Sequence, residues 1–462
     1  MLSALGRFNP FGHLRAIAGR LRHGGNAVSM AQVVAFRSLA MGVNIATSLL
    51  TAAVLGPSGR GEQAALVLAP TFLGGLASLG LHGSLIYNLK ADPAHERELL
   101  GNGILLTLFA GCLAVLCGWI IEPYWLRQYS DHTVLVGRLL LLVTPLIVIA
   151  WSLSGAAESR GWFTLANGAL YLQSLATLLI LGVLALLDQL TPTTSALAYM
   201  LPIIPMFLYI FIRIVRRMRP IFRLRRDLVG RLLHYGAKLC GVDILGTLSG
   251  YLDQLIIVAF LAPKMVGTYA VALSSARMLN VVQAGVSSVL FPSIAGRSSD
   301  AIVPTVAKTF RITMVLLAGL AVLLALIGPA LLRLAYGAAF ADSIMPFRVL
   351  LLAMVLENGA RILYQIYSGS GRPELVTFFE CAATTLACVA MAALVPFFDT
   401  FGAALAVLCG SVFRMAIGIA GLPLLLKQPI PRLILGRADL HLVWPLRDEA
   451  AAPVCLNDRQ GA

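Results

Sequence analysis

The chain has 462 residues, of which 59% are apolar and only 12% are charged, and its net charge is +14. Soluble domains contain about 45 to 50% apolar and about 25% charged residues, so this chain has too few polar side chains to cover soluble domains, and a soluble enzyme is excluded. A basic excess in a soluble protein would suggest nucleic acid, but here the basic residues lie mainly between long apolar runs, and no nucleic-acid partner is expected.

Apolar stretches bounded by Pro, Gly or charge run through most of the chain, and each is long enough to cross a bilayer as a helix, which takes about 20 residues. Twelve are predicted, approximately at 28–55, 63–89, 100–121, 136–157, 162–187, 194–214, 235–262, 266–292, 309–333, 346–368, 375–397 and 402–426. The predicted domains are a cytoplasmic basic arm (1–27), an N-terminal six-helix bundle (28–214), a cytoplasmic basic linker (215–234), a C-terminal six-helix bundle (235–426) and a cytoplasmic tail (427–462). The sequence therefore predicts an all-α polytopic membrane protein.

Basic residues are distributed unevenly between alternate connections. One set of connections, together with both terminal segments, contains 25 Lys and Arg residues, and the opposite set contains six. Because basic connections stay in the cytoplasm, both termini are predicted to be cytoplasmic. The connection from Arg213 to Arg231 contains eight arginines, which is typical of an anchor on anionic membrane lipid.

An internal repeat divides the chain at this basic connection. At a constant offset of 206 residues, Leu55, Pro57, Gly61 and Ala64 correspond to Leu261, Pro263, Gly267 and Ala270. Six spans in each half mean that both halves enter the membrane in the same direction, as parallel repeats around a central cavity. Such a pair of bundles is the usual basis of alternating-access transport.

Sequence patterns of catalytic or metal sites are missing. The chain has no HExxH, GxSxG or Cys/His metal spacing, and six of its seven cysteines lie in apolar runs. The glycine-rich stretch 56–61 lacks the Lys-Ser/Thr ending of a phosphate loop and is interpreted as a turn. We therefore expect no catalytic residue and no metal site.

Ionisable residues inside the spans are the candidate site, because a charge in the bilayer is costly unless it faces protein or water. Arg277 lies about 18 Å into span eight, close to the midplane, and is predicted to face a cavity. Arg37 in span one corresponds to Asp243 in span seven by the same offset. These two residues either face the cavity together or bind each other, with snorkelling of Arg37 as a further alternative.

Five more intramembrane charges lie in the second half. Asp253 is predicted to carry a proton or coordinate Na⁺, or else to pair with Arg277. Glu357 and Arg361 are four residues apart on span ten, the spacing of an intrahelical ion pair. Arg414 in span twelve has no partner within its own helix. With Glu380, the intramembrane charges sum to zero, so net charge alone does not predict an anionic substrate.

The chain resembles the oligosaccharidyl-lipid flippases of the multidrug/oligosaccharidyl-lipid/polysaccharide exporter superfamily. The resemblance is carried by residues 55–61 (Leu-Gly-Pro-Ser-Gly-Arg-Gly), by 251–254 (Tyr-Leu-Asp-Gln), by 267–269 (Gly-Thr-Tyr) and by the six-plus-six arrangement. It implies two bundles in a V, with spans one, two, seven and eight around the cavity. On that basis Arg37, Asp243, Asp253 and Arg277 become cavity residues.

The implied function is a flippase of the bacterial inner membrane, which moves an oligosaccharide on undecaprenyl diphosphate to the periplasmic leaflet for exopolysaccharide, capsule or O-antigen synthesis. A polysaccharide polymerase and export machinery would be its partners. No cofactor is expected, and coupling to a proton gradient, a Na⁺ gradient or the membrane potential stays open. The alternatives are a proton- or sodium-coupled drug or cation exporter of the same superfamily and, less favoured by the short outer loops, a membrane polymerase or ligase.

Overall fold

The chain is mostly helical in its computed structural model, which describes residues 25–294 and 299–433. Within those two ranges no β-strand is present. The predicted basic arm (1–27) and tail (427–462) lie mostly outside them. The predicted fold class, an all-α polytopic membrane protein, is confirmed.

Within the described residues, eight helices precede the basic connection and six follow it. The first half contains α1 (Gly25–Ala77), α2 (Leu81–Ala91), α3 (Glu96–Trp125), α4 (Asp131–Leu141), α5 (Thr144–Ser159), α6 (Phe163–Leu186), α7 (Pro192–Met200) and α8 (Ile203–Met218). The second half contains α9 (Arg226–Phe260), α10 (Pro263–Ala276), α11 (Asn280–Ile294), α12 (Ser299–Tyr336), α13 (Ile344–Gly369) and α14 (Pro373–Leu425). Short 3₁₀ turns cover Pro93–His95, Arg277–Leu279 and Ala338–Ser343.

Ten stretches of the described helices are long and apolar enough to cross a membrane. Two of them are 53 residues long, a helical length of about 80 Å, whereas a bilayer core is about 30 Å thick. Each contains a residue with left-handed backbone, Gly56 in α1 (φ 66°) and Asp399 in α14 (φ 49°). Each long stretch is therefore interrupted by a kink at this residue, and twelve separate spans stay a prediction.

Local sequence explains where several helices begin. Thr191 and Thr194 form a reciprocal capping box at the start of α7, which satisfies free N–H groups there. Proline occupies the first position of α7, α10 and α14 (Pro192, Pro263 and Pro373), where its missing N–H costs nothing.

The internal repeat is also visible in the backbone. Helices α5 and α13 both end in a left-handed glycine, Gly161 (φ 73°) and Gly371 (φ 76°), 210 residues apart. In both places the N–H of the residue after the glycine donates to the carbonyl five residues earlier. Both halves thus use the same glycine-dependent helix ending at equivalent positions.

The two halves touch each other through the repeated turns, at the end of the molecule opposite the basic connection. A Cβ atom on Gly61 would overlap the carbonyl oxygen of Pro263, and a Cβ atom on Gly267 would overlap the carbonyl oxygen of Pro57. The contact is reciprocal, because Gly61 corresponds to Gly267 in the repeat and Pro57 corresponds to Pro263. A local two-fold axis therefore passes between Gly61 and Gly267.

Further contacts join the halves at both ends. At the end opposite the basic connection, the indole Nε1 of Trp125 donates to the carbonyl oxygen of Leu255 at 2.9 Å. At the basic end, the rings of Tyr87 and Tyr235 stack with 4.1 Å between centroids. Between these contacts the halves enclose a cavity.

Candidate functional site

The central cavity has a volume of about 790 Å³ and lies between the two halves. Three helical stretches present a stripe of residues to it, spaced three and four apart as one face of a helix requires. From α1 before the kink these are Met41, Asn44, Ile45, Ser48 and Leu49. From α1 after the kink they are Arg60, Gln63, Ala64, Val67, Leu68 and Thr71. From α10 and the turn after it they are Ala270, Leu273, Ser274, Arg277 and Met278.

The internal repeat explains which residues meet in this cavity. At the offset of 206, the stripe Ala64, Val67, Leu68 and Thr71 corresponds to Ala270, Leu273, Ser274 and Arg277, and all eight line the cavity. Likewise Ile45 and Ser48 correspond to Tyr251 and Gln254, which also line it. The four spans that the resemblance placed around the cavity therefore line it, and α6, α12 and α13 contribute further residues.

Charge in the central cavity is of one sign. Among the lining residues that the structure describes, only Arg60 and Arg277 are charged, and no carboxylate is present. Arg60 is nine-tenths buried and its guanidinium donates to Gln63, but its Nε has no hydrogen-bond partner among the residues that the structure describes. The side-chain amide nitrogen of Gln254 also lacks one. The cavity thus offers positive charge and free donors to a ligand rich in acceptors.

Arg60 was not predicted as a site residue, because the glycine-rich stretch around it was interpreted as a turn. In the structure only Gly56 leaves the helical conformation, and Arg60 belongs to the first turn after the kink. The signal in the sequence was the polar stripe Arg60, Gln63 and Thr71 on one face of an otherwise apolar span.

Arg277 lies in the short 3₁₀ turn that joins α10 to α11. Its Nη2 donates to the carbonyl oxygen of Gly250 in α9 at 2.8 Å. It also borders a second cavity of about 300 Å³, which lies within the second half. Arg277 therefore occupies the wall that separates the two cavities.

Asp253 faces the smaller cavity and is 6% exposed. Its carboxylate accepts hydrogen bonds from the hydroxyl of Tyr269 at 2.8 Å and from the backbone N–H of Gln254 at 2.8 Å. The predicted pairing of Asp253 with Arg277 has no hydrogen bond or ion pair to support it among the described residues, although the two interact electrostatically.

The remaining intramembrane charges of the second half neutralise one another around the smaller cavity. Arg361 and Glu357 form the expected intrahelical ion pair at 2.7 Å. Arg414 is buried and contacts Glu380 at 3.0 Å and the hydroxyl of Ser249 at 2.9 Å. Its partner thus comes from α14 before the kink, so nothing within its own span could have predicted it.

Arg37 and Asp243 are not brought together by any described contact. Arg37 lies in α1, but its side chain falls outside the described part of the structure. Asp243 is half-buried, and its carboxylate accepts a hydrogen bond from the hydroxyl of Ser78 across the two halves at 3.4 Å. Asp243 is not among the residues that line the two cavities.

Tyr269→Phe tests the Tyr269–Asp253 contact. Because a hydrogen bond between membrane helices is worth about 0.6 to 2 kcal/mol, we expect the free energy of unfolding to fall by about that amount. Unfolding in mixed micelles measures it. Tyr124→Phe is the control, since Tyr124 is exposed and should show no change. An equal change in the free energy of unfolding for the two substitutions would contradict a stabilising hydrogen bond between Tyr269 and Asp253.

The family model described as polysaccharide biosynthesis protein matches residues 50–345, well over half of the chain. No curated protein matches the chain in sequence.

Solved structures match the fold over most of their length. One is an inward-facing multidrug resistance MATE family transporter of the MOP superfamily (TM-score 0.69, 15% identity, 83% of this chain and 95% of that one). A second is the lipid II flippase MurJ in an inward closed conformation (0.70, 11%, 86% and 87%). A third is a MOP superfamily transporter from Pyrococcus furiosus (0.61, 14%, 85% and 93%).

Proposed function

Since the chain belongs to the polysaccharide biosynthesis protein family, we propose that it is a flippase for an oligosaccharide linked to undecaprenyl diphosphate. It would move this lipid from the cytoplasmic to the periplasmic leaflet of a bacterial inner membrane, with both of its own termini in the cytoplasm. The product would serve exopolysaccharide, capsule or O-antigen synthesis, and a polymerase and export machinery would receive it.

The observation that carries this proposal is the charge of the central cavity. A diphosphate is anionic and has only acceptor oxygens, and the described lining offers Arg60, Arg277 and the unpaired amide of Gln254. Guanidinium groups hold phosphate oxygens in paired hydrogen bonds, and these are strong where water is partly excluded. The neutral polar side chains on the cavity stripes suit the hydroxyl groups of a glycan.

A cation exporter needs negative charge in its substrate cavity, whereas the described charges of the central cavity are positive. Asp253 and Glu357 face the smaller cavity, and each already accepts hydrogen bonds from side chains or backbone of the second half. A cationic drug in the central cavity would meet two arginines and, among the described residues, no carboxylate. The geometry therefore favours an anionic lipid-linked substrate. The same two carboxylates are the candidates for coupling transport to a proton or Na⁺ gradient.

Deletion of the gene in its host tests the function. We expect polysaccharide to be lost from the surface and completed lipid-linked oligosaccharide to accumulate on the cytoplasmic face, because the step before translocation continues. Mass spectrometry of extracted lipids and a surface polysaccharide assay measure the two. Complementation with the wild-type gene should restore both. Unchanged polysaccharide and lipid-linked oligosaccharide in the deletion strain would contradict the proposal.

A further inference from the structure

The connection between the halves is a fixed segment and not a loose linker. Helix α8 ends at Met218, and residues 219–225 then run along the start of α3. The N–H of Ile221 donates to the carbonyl of Arg97 at 2.8 Å, and the Nε of Arg97 donates to the carbonyl of Arg219 at 2.8 Å. We call residues 216–226, which include the last turn of α8 and the first residue of α9, the strap.

A second pair of hydrogen bonds holds the other end of the strap. The side-chain amide of Asn102 donates to the carbonyl of Arg223, and its oxygen accepts from the N–H of Arg225, both at 3.1 Å. A Cβ atom on Gly101 would overlap the carbonyl oxygen of Ile221, so the two backbones are in direct contact. The strap is thus held against the first half where the candidate span of α3 begins and that of α8 ends, the level at which these two helices would leave a membrane.

Acidic side chains around the strap are already paired. Glu98 and Asp227 both contact Arg225 at 2.6 Å. Asp92 contacts Arg231 at 2.9 Å, and hydrogen bonding from this guanidinium holds the pKa of Asp92 below its ordinary value. No described carboxylate is therefore left to neutralise the other arginines of the strap.

Four arginines of the strap are exposed and have neither an acidic nor an aromatic partner in the described part of the chain: Arg216, Arg219, Arg223 and Arg226. The fifth exposed arginine without an acidic partner, Arg217, lies over the ring of Trp162 at 4.8 Å. Two large apolar side chains lie between the four arginines and are also exposed, Phe222 at 53% and Leu224 at 67%. Apolar side chains beside basic ones at a membrane boundary are the pattern of a segment that lies in the headgroup layer.

We propose that the strap is a binding surface for the headgroups of anionic phospholipids. The four unpaired guanidinium groups contact the lipid phosphates, while Phe222 and Leu224 enter the acyl boundary of the same leaflet. Because the strap is bonded to α3, the bound lipids are held by the first half of the transporter. The proposal depends on neither the identity of the transported molecule nor the central cavity.

Native mass spectrometry of the purified full-length chain tests this surface. Phosphatidylglycerol or phosphatidylcholine is added to the protein in detergent at equal concentrations, and bound lipids are counted. We expect wild type to bind phosphatidylglycerol preferentially. The variant R216Q/R219Q/R223Q/R226Q should bind it roughly tenfold or more weakly, since each basic residue near anionic lipid contributes appreciably to binding.

The matched control is R127Q/R138Q/R333Q/R348Q, which removes the same charge from exposed positions at the opposite end. It should keep the wild-type preference for phosphatidylglycerol. Equal loss in both variants would assign binding to net charge and overturn the proposal. Unaltered binding in the strap variant would overturn it too, and would leave an acidic protein as the partner of these arginines.

Discussion

Arg277→Ala is expected to reduce transport by about 10- to 100-fold without preventing membrane insertion. A hydrogen bond to a charged group is worth about 1.5 to 3 kcal/mol, and the guanidinium is one of the two cations in the described lining of the central cavity. The structural cost should be small, because the one hydrogen bond described for its side chain is to Gly250. Reconstituted vesicles with labelled lipid-linked oligosaccharide measure transport.

Controls separate loss of the site from loss of the fold. Arg348→Ala removes an exposed arginine that borders neither cavity, and it should transport at the wild-type rate. Arg277→Lys keeps the charge but not the planar pair of donors, so intermediate activity is expected. Full activity of a correctly inserted Arg277→Ala protein would refute a role for this residue in substrate binding.

Gly267→Val is expected to separate the two halves at the end opposite the basic connection. The new side chain would occupy the space of the Pro57 carbonyl, which is backbone and cannot rotate away. Overpacking of this kind costs about 1 to 3 kcal/mol, and the halves avoid it by moving apart. Transport should fall strongly, since alternating access needs this end to close.

Spin labels at Asp131 and Lys264, both exposed near this end, report the separation. Their distance should lengthen in Gly267→Val and should stay at the wild-type value in Gly319→Val. Gly319 is the matched control, because a Cβ atom there meets nothing within 4 Å. A wild-type distance together with wild-type transport in Gly267→Val would show that this glycine contact does not hold the halves closed.

Much of the fold follows from features that act locally along the chain. Apolar runs of sufficient length fix the helices, and the repeated Leu, Pro, Gly and Ala positions fix the turns that meet around Gly61 and Gly267. The pair Glu357 and Arg361 was predictable for the same reason, because four residues along one helix bring the two side chains together.

Partners that lie on different helices were not predictable in this way. Glu380 and Ser249 approach Arg414 from elsewhere in the chain. Tyr269 donates the hydrogen bond to Asp253, for which Arg277 was one of the two predicted alternatives. The intramembrane charges sum to zero, but this sum does not show how the charges are distributed between the two cavities. Asp253 and Glu357 line the smaller cavity and not the central one, whereas Arg277 borders both, and the rotation of each helix about its own axis decides this.

Thr71 and Arg277 break the equivalence of the two halves. Two identical copies of a half-length ancestor would have brought the same side chain to both positions, and a guest molecule could then have bound in either of two orientations related by rotation. Thr71 opposite Arg277, together with Arg60 opposite Val266 at the same offset, removes that ambiguity, because rotation does not bring the two guanidinium groups onto each other. Divergence at duplicated positions thus gives a symmetric enclosure a direction.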